Sequence, residues 1–335
     1  MTWFTWRQFR TPAWVTLVGL GVLAVLLAVT GHNLADEWTS SGAAACHGSC
    51  DSAFSDFIQQ VTSGANERVY QGALLVVYVA PPLIGIFWGA PLVARELEAG
   101  THRLVWTQSI SRTRWISTKL AVVGAAAAVT AGLLSWAVTA WSAHIDAVEY
   151  PRITPAIYGA RGIVPVGYAL FAFSLGVTMG ILIRRTVPAM AATLGIYIAA
   201  VVSMSLWLRA HLVTAAHLVV PLDISRIRGF GIADHGVMEI VGGALPSNGW
   251  VLANATVTPT GQIFTGPASA QFCSNPNQGP RACLDWVGTL GLRQDVTYQP
   301  ASHFWALQWV ETGIFVALAV LLAGFTLYWT RRRLT

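Results

Sequence analysis

Long stretches without charged side chains are the feature that most constrains the fold of this chain. Six long apolar windows contain no Asp, Glu, Lys or Arg, at residues 11–35, 69–94, 120–145, 162–183, 186–208 and 312–330. A helix that crosses a bilayer needs about 20 apolar residues, and each window offers close to that length or more. Only 10% of all residues are charged, against about 25% in a typical soluble domain. The sequence therefore predicts an all-α polytopic membrane protein with six transmembrane helices.

The limits of the apolar segments set the expected helix boundaries. We expect transmembrane helices at about 13–30, 72–93, 119–143, 162–183, 187–208 and 304–330, the last running past Glu311. Residues 1–12 interleave aromatic side chains with Arg7 and Arg10, which is typical of an interfacial amphipathic helix. A cleaved signal peptide is the alternative for this region, but no small-x-small cleavage site follows at 30–35.

The distribution of basic residues predicts the orientation. With a cytoplasmic N-terminus and six crossings, the cytoplasmic segments hold 12 of the 20 basic residues, opposed only by Glu96 and Glu98. The cytoplasmic side then carries a net charge of +10 and the outer side −5. The positive-inside rule therefore places both termini in the cytoplasm, including a basic tail at 331–335. Because the charges are segregated in this way, they form no basic stripe for nucleic acid.

The longest polar segment, 209–303, is expected to form a small extracytoplasmic cap of mixed structure between helices five and six. Residues 210–220 are expected to leave the membrane as a helix, whereas 250–252 and 256–258 favour β-strands. All four cysteines lie in predicted outer segments, where disulfides persist. Two local disulfides are therefore predicted, Cys46 with Cys50 and Cys273 with Cys283. A redox or metal site at the first pair is the alternative.

Motifs for nucleotide hydrolysis are missing from the sequence. Lys119 is the only lysine, and no glycine-rich loop precedes it, whereas a P-loop needs a lysine directly after its glycines. The sequence also lacks the H-E-x-x-H pattern of zinc enzymes and the G-x-S-x-G pattern of hydrolases. We therefore predict that the chain is not itself an enzyme and holds no cofactor or metal of its own.

Residues that break or pack helices mark candidate positions inside the membrane. Proline removes a helical hydrogen bond and favours a kink. Gly176 and Gly180 have the spacing of a helix-contact face. The candidates for kinks or for lining a transport path are Pro81, Pro82, Gly85 and Pro188.

Glu311 is the carboxylate predicted to lie within the sixth helix. It is expected either to snorkel to the interface or to pair with Arg293 or another outer arginine. A role in proton coupling is the alternative. Buried ionisable groups are otherwise scarce, which indicates that the energy for any transport comes from elsewhere.

The loop between helices two and three, residues 94–118, is the most informative polar stretch. It mixes acidic and basic side chains around a break at Gly100 and Thr101, and Ser111 can cap the helix that follows. Such a loop is either a solvated connector or a docking surface for a cytosolic partner.

This loop resembles the first cytoplasmic loop of the permease subunits of type 2 ABC exporters. That family has an acidic residue, a Gly-Thr pair, an apolar residue, a Ser-Arg pair and a lysine that opens the third helix. The matching residues are Glu98, Gly100, Thr101, Leu104, Ser111, Arg112 and Lys119. The aromatic and basic N-terminus is similar to the family's connecting helix, and the layout of six helices with a large outer segment also fits.

The resemblance implies a transporter that a partner drives. Two permeases, as a homodimer or heterodimer in the plasma membrane, would each dock on a cytosolic ABC ATPase subunit that binds ATP and Mg²⁺ and powers export. The implied coupling surface comprises Glu96, Glu98, Gly100, Thr101, Arg103 and Arg112. The apolar path favours a lipophilic or amphipathic cargo. The alternatives are an ion-coupled secondary carrier and a membrane sensor or scaffold whose outer cap binds a ligand.

Overall fold

The chain forms two compact units. A computed structural model describes residues 2–46, 50–100, 111–148, 152–224, 227–232, 238–242, 249–264, 271–273 and 279–332. One unit, called the membrane unit below, comprises Met1–Leu212 and Trp305–Thr335, and the other comprises Val213–Phe304.

The described residues include six helices long and apolar enough to cross a membrane, which confirms the predicted number. We call them spans 1 to 6, and they run over Arg10–Ser40, Ala65–Glu98, Thr113–Trp141, Val164–Ile183, Thr186–His211 and Ala301–Arg332. The end of the membrane unit where span 2 finishes and span 3 begins is called the loop end. The end where span 3 finishes and span 4 begins is called the far end.

The helices that build the membrane unit differ in regularity. Their bounds are Thr2–Ser40, Asp51–Ser63, Ala65–Leu83, Ala90–Glu98, Arg112–Trp141, Ala143–Val148, Pro155–Tyr158, Val164–Ile183, Thr186–Ser203 and Phe304–Arg332. Spans 2 and 5 are interrupted by π-helical segments, Ile84–Gly89 and Met204–Leu208. Such segments shift the hydrogen-bond register of a helix and occur frequently at functional sites.

Span 4 lies at the centre of the membrane unit. In its apolar window 72% of the residues are buried, against 6% in span 1. It contacts spans 2, 3 and 5, and Phe171 on span 4 packs edge to face on Phe315 of span 6. Span 1 therefore presents most of its surface outward, where lipid or another protein can cover it.

Glycines allow spans 2 and 4 to approach each other at backbone distance. A Cβ atom added at Gly180 would lie 2.6 Å from the carbonyl oxygen of Ala90, and one added at Gly176 would collide with the carbonyl oxygen of Gly85. Gly176 and Gly180 thus form the helix-contact face that their spacing predicts. Gly176 lies against the π-helical segment of span 2, so span 4 supports span 2 where its helix is irregular.

The second unit combines two antiparallel sheets with one helix. Strands β1 to β5 are Ala216–Pro221, Ile227–Ile232, Met238–Gly242, Gly249–Val257 and Arg293–Pro300. β5 lies between β1 and β4, while β2 pairs with β3. The helix Gly279–Thr289 precedes β5, and Cys283, Val287 and Leu292 form a small buried cluster. The second unit is thus of mixed structure, as the sequence predicts for residues 209–303.

The structure corrects the prediction for residues 210–220. The helix ends at the 3₁₀ turn Arg209–His211, and the chain continues as β1. β1 pairs along its whole length with β5, which is about 80 residues further on, with Leu218 opposite Val296. Long-range pairing of this kind overrides a local preference for helix. The strand preferences at 250–252 and 256–258 are confirmed within β4, except at Thr258, which lies just past its end.

The N-terminal helix is continuous. Its backbone runs unbroken over Thr2–Ser40 with Pro12 inside it, so residues 2–12 are not separated from span 1 by a turn. The side chains of residues 2–9, on which the prediction of an amphipathic segment depends, lie outside the described part, and that prediction stays open.

Candidate functional site

A buried ion pair joins spans 2 and 3 at the loop end. Lys119 Nζ lies 2.6 Å from Glu96 Oε1, and the Lys119 side chain is 1% exposed. The same ammonium donates to the carbonyl oxygen of Leu92 at 3.2 Å and lies 4.7 Å from the centre of the Trp115 ring. The lysine therefore fastens the start of span 3 to the end of span 2. A buried pair of this kind depends on both partners, because either charge alone would be stranded.

A second carboxylate joins the end of span 2 to the start of span 5. Glu98 Oε2 accepts hydrogen bonds from the backbone N–H of Thr186 at 3.1 Å and from its hydroxyl at 2.8 Å. Thr186 is the first residue of its helix, so the carboxylate satisfies a free amide at the positive end of the helix dipole. Glu98 is exposed, which leaves its other oxygen accessible to solvent or to a partner.

The loop that follows span 2 begins with a left-handed turn. Gly100 has a φ angle of 68°, and its N–H donates to the carbonyl oxygen of Leu97. At the other side of the loop, Ser111 caps span 3 by accepting a hydrogen bond from the N–H of Arg114, as the sequence predicts. These two features fix the positions at which the loop leaves and re-enters the membrane unit.

Span 6 reaches the same end. Arg331 Nε donates to the hydroxyl of Thr113 at 3.0 Å. Together, Glu96, Lys119, Glu98, Thr186, Thr113 and Arg331 form what we call the loop-end cluster. The cluster connects spans 2, 3, 5 and 6 around the two ends of the loop.

The predicted coupling residues have different surroundings. Glu96 contacts span 3 and Glu98 contacts span 5. Gly100 forms the turn with which the chain leaves span 2. Thr101 and Arg103 lie outside the described residues, as does the side chain of Arg112. Whether any of the six contacts a partner stays a prediction.

The predicted kink residues lie in the middle of span 2 and at the start of span 5. Pro81 and Pro82 directly precede the π-helical segment of span 2, and Gly85 lies inside it. Pro188 is the third residue of its helix, where its missing N–H costs no helical hydrogen bond. The irregular part of span 5 is instead Met204–Leu208. A pocket of about 210 Å³ beside the π-helical segment of span 2 is lined by residues including Trp88 and Arg95.

A buried ion pair connects spans 5 and 6 at the far end. Arg209 donates to both oxygens of Glu311, from Nε at 2.9 Å and from a terminal nitrogen at 3.0 Å. The Tyr168 hydroxyl from span 4 also donates to Glu311. Glu311 is therefore paired with an arginine, as one of the expectations states, but the partner is Arg209 and not Arg293. The carboxylate is fully buried, so the snorkelling expectation is wrong.

A second buried ion pair ties together the short helices at the far end. Arg161 donates to Asp146 from Nε at 2.7 Å and from a terminal nitrogen at 3.0 Å. Tyr70 and Ser142 donate to the same carboxylate, each at 3.0 Å. No motif in the sequence indicates this pair. The available signal was the position of both charges directly beside apolar windows.

Polar side chains from span 6 complete the far end. The Gln308 side-chain oxygen accepts from the N–H groups of Ile163 and Val164, which open span 4. Tyr158 lies under the Arg209 guanidinium, 4.5 Å from ring centre to Cζ. Burial, reinforced by the Glu311 charge, raises the pKa of the Tyr158 phenol far above its ordinary value, so the ring stays neutral.

The two disulfides that the sequence predicts are present in the structure. Cys46 is bonded to Cys50, and Cys273 to Cys283. No group of three or more His, Cys, Asp or Glu that could hold a metal occurs within the described residues.

Comparisons with known proteins bear on the membrane unit. The family described as "ABC-2 membrane transporter related" matches residues 17–209, more than half of the chain. The match covers most of span 1, spans 2 to 4, span 5 as far as Arg209, both π-helical segments and every described residue of the loop-end cluster except Arg331. No curated protein and no solved structure matches the chain. The chain therefore belongs to the ABC-2 membrane transporter related family, and it is a multi-pass permease of the ABC-2 type.

Proposed function

We propose that this permease is the membrane subunit of an ATP-driven exporter. A separate cytosolic ABC ATPase binds ATP and Mg²⁺ and docks on the loop at 94–118, and the chain itself hydrolyses nothing. Two permeases, alike or different, form the transport path in the plasma membrane, with both termini and the loop in the cytoplasm. The cargo is lipophilic or amphipathic.

The observation that carries this proposal is the arrangement of the loop-end cluster. If the loop were a flexible connector, a partner that displaced it would not move the spans. Here, both ends of the loop are fixed, by the Lys119–Glu96 pair and by the Glu98 cap on span 5. A displacement of the loop therefore moves the ends of spans 2, 3 and 5 as one body.

The π-helical segments of spans 2 and 5 are the positions at which these spans can bend in response to such a displacement. The π-helical segment of span 2 ends about two helical turns before Glu96, and that of span 5 lies at the far end. Each replaces the regular helical hydrogen bonds by longer-range ones. Movement at the loop end can then change the path between these spans while the far-end ion pairs hold the opposite end. A transporter that is driven in this way does not need an ionisable side chain in the transport path to couple cargo movement to an ion gradient.

The docking role is tested by disrupting the turn at the end of span 2. Glu98→Arg places a cation at the positive end of span 5, and Gly100→Pro forbids the positive φ angle. The double variant is expected to insert in the membrane but to lose its ATPase partner in co-purification. Gly42→Pro is the matched control. Gly42 also has a positive φ angle, of 77°, but it follows the C-terminal end of span 1 and lies outside the loop. Normal ATPase binding and transport by the double variant would contradict the assigned role.

An ion-coupled carrier is the second candidate, and the buried Glu311 carboxylate favours it. Its pairing with Arg209 weakens the case, because the guanidinium already engages both oxygens of the carboxylate. The two functions are separated by transport in vesicles with a proton gradient and no ATPase subunit. Uptake that collapses with the gradient and is abolished by Glu311→Gln would establish the carrier, whereas exporter activity requires the partner and ATP.

A further inference from the structure

Two neighbouring grooves on span 3 lie outside the machinery described above. The first, between spans 1 and 3, has a volume of about 440 Å³. The second, between span 3, the start of span 4 and Trp305, has a volume of about 400 Å³. Trp136 lines both grooves and is 70% exposed, so it forms a ridge between them. Both volumes fall in the range of about 300–1,000 Å³ typical of small-molecule pockets.

Small side chains create the first groove. Ala24, Ala28 and Gly31 on span 1 face Ala137 and Ala140 on span 3. Their short side chains leave a trough open to the surroundings of the membrane unit. In a bilayer, those surroundings are lipid.

Each groove contains a buried polar atom for which no described residue supplies a hydrogen bond. In the first groove it is the indole nitrogen of Trp141, a residue that is only 8% exposed. A Cβ atom added at Gly31 would lie 3.6 Å from this nitrogen, so the N–H edge of the ring lies at the groove wall. In the second groove it is the hydroxyl of Thr139. Buried donors without acceptors are costly and rare, which points to an acceptor supplied by a ligand.

The polar and apolar ends of both grooves are aligned in the same direction. Trp141 is the last residue of its helix and His144 lies just beyond. Trp is enriched where membrane helices meet the headgroup region. Ala24 in the first groove and Gly132 in the second lie two or more helical turns deeper. An amphipathic molecule with its acceptors at the surface and its apolar part toward the membrane centre fits this polarity.

We infer that a diacyl glycerophospholipid of the surrounding membrane binds astride Trp136, with one acyl chain in each groove. Trp141 Nε1 and the Thr139 hydroxyl donate to its ester carbonyl oxygens. A spanning helix from a second copy is a poorer occupant, because its backbone carbonyls are already bonded within the helix. The lipid is a resident component of the permease and not its cargo, so the inference is independent of the proposed function.

The first experiment compares two lipids that differ only in the proposed acceptors. The purified full chain in mild detergent is offered equal amounts of dioleoyl phosphatidylglycerol and its dialkyl ether analogue, and bound lipid is counted by native mass spectrometry. The ether analogue lacks the ester carbonyls. The wild-type chain is expected to prefer the diester by about fivefold to tenfold for each hydrogen bond that is made.

Variants locate the preference. Trp141→Phe keeps an aromatic ring and removes the N–H, and Thr139→Val keeps the shape and removes the hydroxyl. Each is expected to reduce the preference for the diester severalfold. Trp309→Phe is the matched control, because Trp309 is 67% exposed on span 6 and lines neither groove. Equal retention of the two lipids by the wild type, or an equal change in Trp309→Phe, would overturn the inference.

A second experiment maps the position of the bound chains directly. A phosphatidylglycerol with a diazirine in one acyl chain is photolysed in vesicles with the wild-type chain, and adducts are located by mass spectrometry. Adducts are expected within 24–34 and 132–144 and should disappear in Ala28→Leu Ala140→Leu, in which larger side chains fill the first groove. Adducts spread evenly over all the spans, or a disulfide between two copies of an Ala28→Cys variant formed in good yield, would refute the lipid site.

Discussion

Lys119 and Glu96 are 23 residues apart in the chain, and their charged atoms lie 2.6 Å apart in a buried ion pair. The lysine lies in the second turn of span 3 and the glutamate near the end of span 2, so the pair closes the base of the loop between these spans. This contact gives a structural reason for the position of the chain's single lysine.

The Lys119–Glu96 pair predicts a thermodynamic cycle. Lys119→Met and Glu96→Gln each remove one charge of the pair and leave the other without its partner. Each should destabilise the membrane unit by about 3–5 kcal/mol. The double variant should be distinctly more stable than the sum of the two losses implies, because neither charge is stranded. Thermal unfolding in detergent, followed by intrinsic fluorescence, measures all four proteins. Strictly additive losses would mean that the two side chains do not act as a pair.

The far-end pair Arg161–Asp146 predicts a graded series. Asp146→Asn leaves the Arg161 guanidinium uncompensated and should cost about 3–5 kcal/mol. Tyr70→Phe removes one hydrogen bond to the same carboxylate and should cost only about 1 kcal/mol. Unfolding temperatures of the two variants give the order, and a larger loss for Tyr70→Phe would contradict the geometry.

The glycine contact between spans 2 and 4 predicts a position-specific effect of one methyl group. Gly180→Ala brings a Cβ atom against the backbone carbonyl of Ala90 and should destabilise the chain by about 1–3 kcal/mol. Gly195→Ala is the matched control in span 5, because a Cβ there meets no atom within 4 Å. The control should be neutral or slightly stabilising. Equal unfolding temperatures for the two variants would show that spans 2 and 4 are further apart than described.

The disulfides predict the redox state of the purified chain. Alkylation under denaturing conditions without reductant should modify none of the four cysteines, and alkylation after reduction should modify all four, as intact mass spectrometry can count. Replacing both Cys273 and Cys283 by serine should cost about 2–4 kcal/mol in the stability of the second unit. Full alkylation before reduction would also argue against the predicted outer location of these segments.

Sequence alone predicts the parts of this fold that depend on solvation and local chemistry. The six spans follow from long apolar stretches without charge, the cap at Ser111 from its hydroxyl, and the contact face of Gly176 and Gly180 from their spacing. The strand at residues 216–221 could not be predicted from the sequence, because its conformation depends on pairing with β5, far along the chain.

The particular partners in the buried ion pairs could not be predicted, for a related reason. Glu311 could be expected to meet an arginine, but the choice of Arg209 depends on how spans 5 and 6 are placed side by side. In the same way, Glu96 was assigned to a coupling surface from the family pattern. In the structure its carboxylate faces Lys119 across 23 residues of chain.

The most direct test of the exporter assignment is the composition of the complex in native membranes. The tagged chain is purified in mild detergent, its partners are identified by mass spectrometry, and ATP hydrolysis by the eluate is measured with and without vanadate. We expect a stoichiometric P-loop ATPase subunit and vanadate-sensitive turnover. A permease that purifies without any nucleotide-binding partner, yet still transports in vesicles, would contradict it.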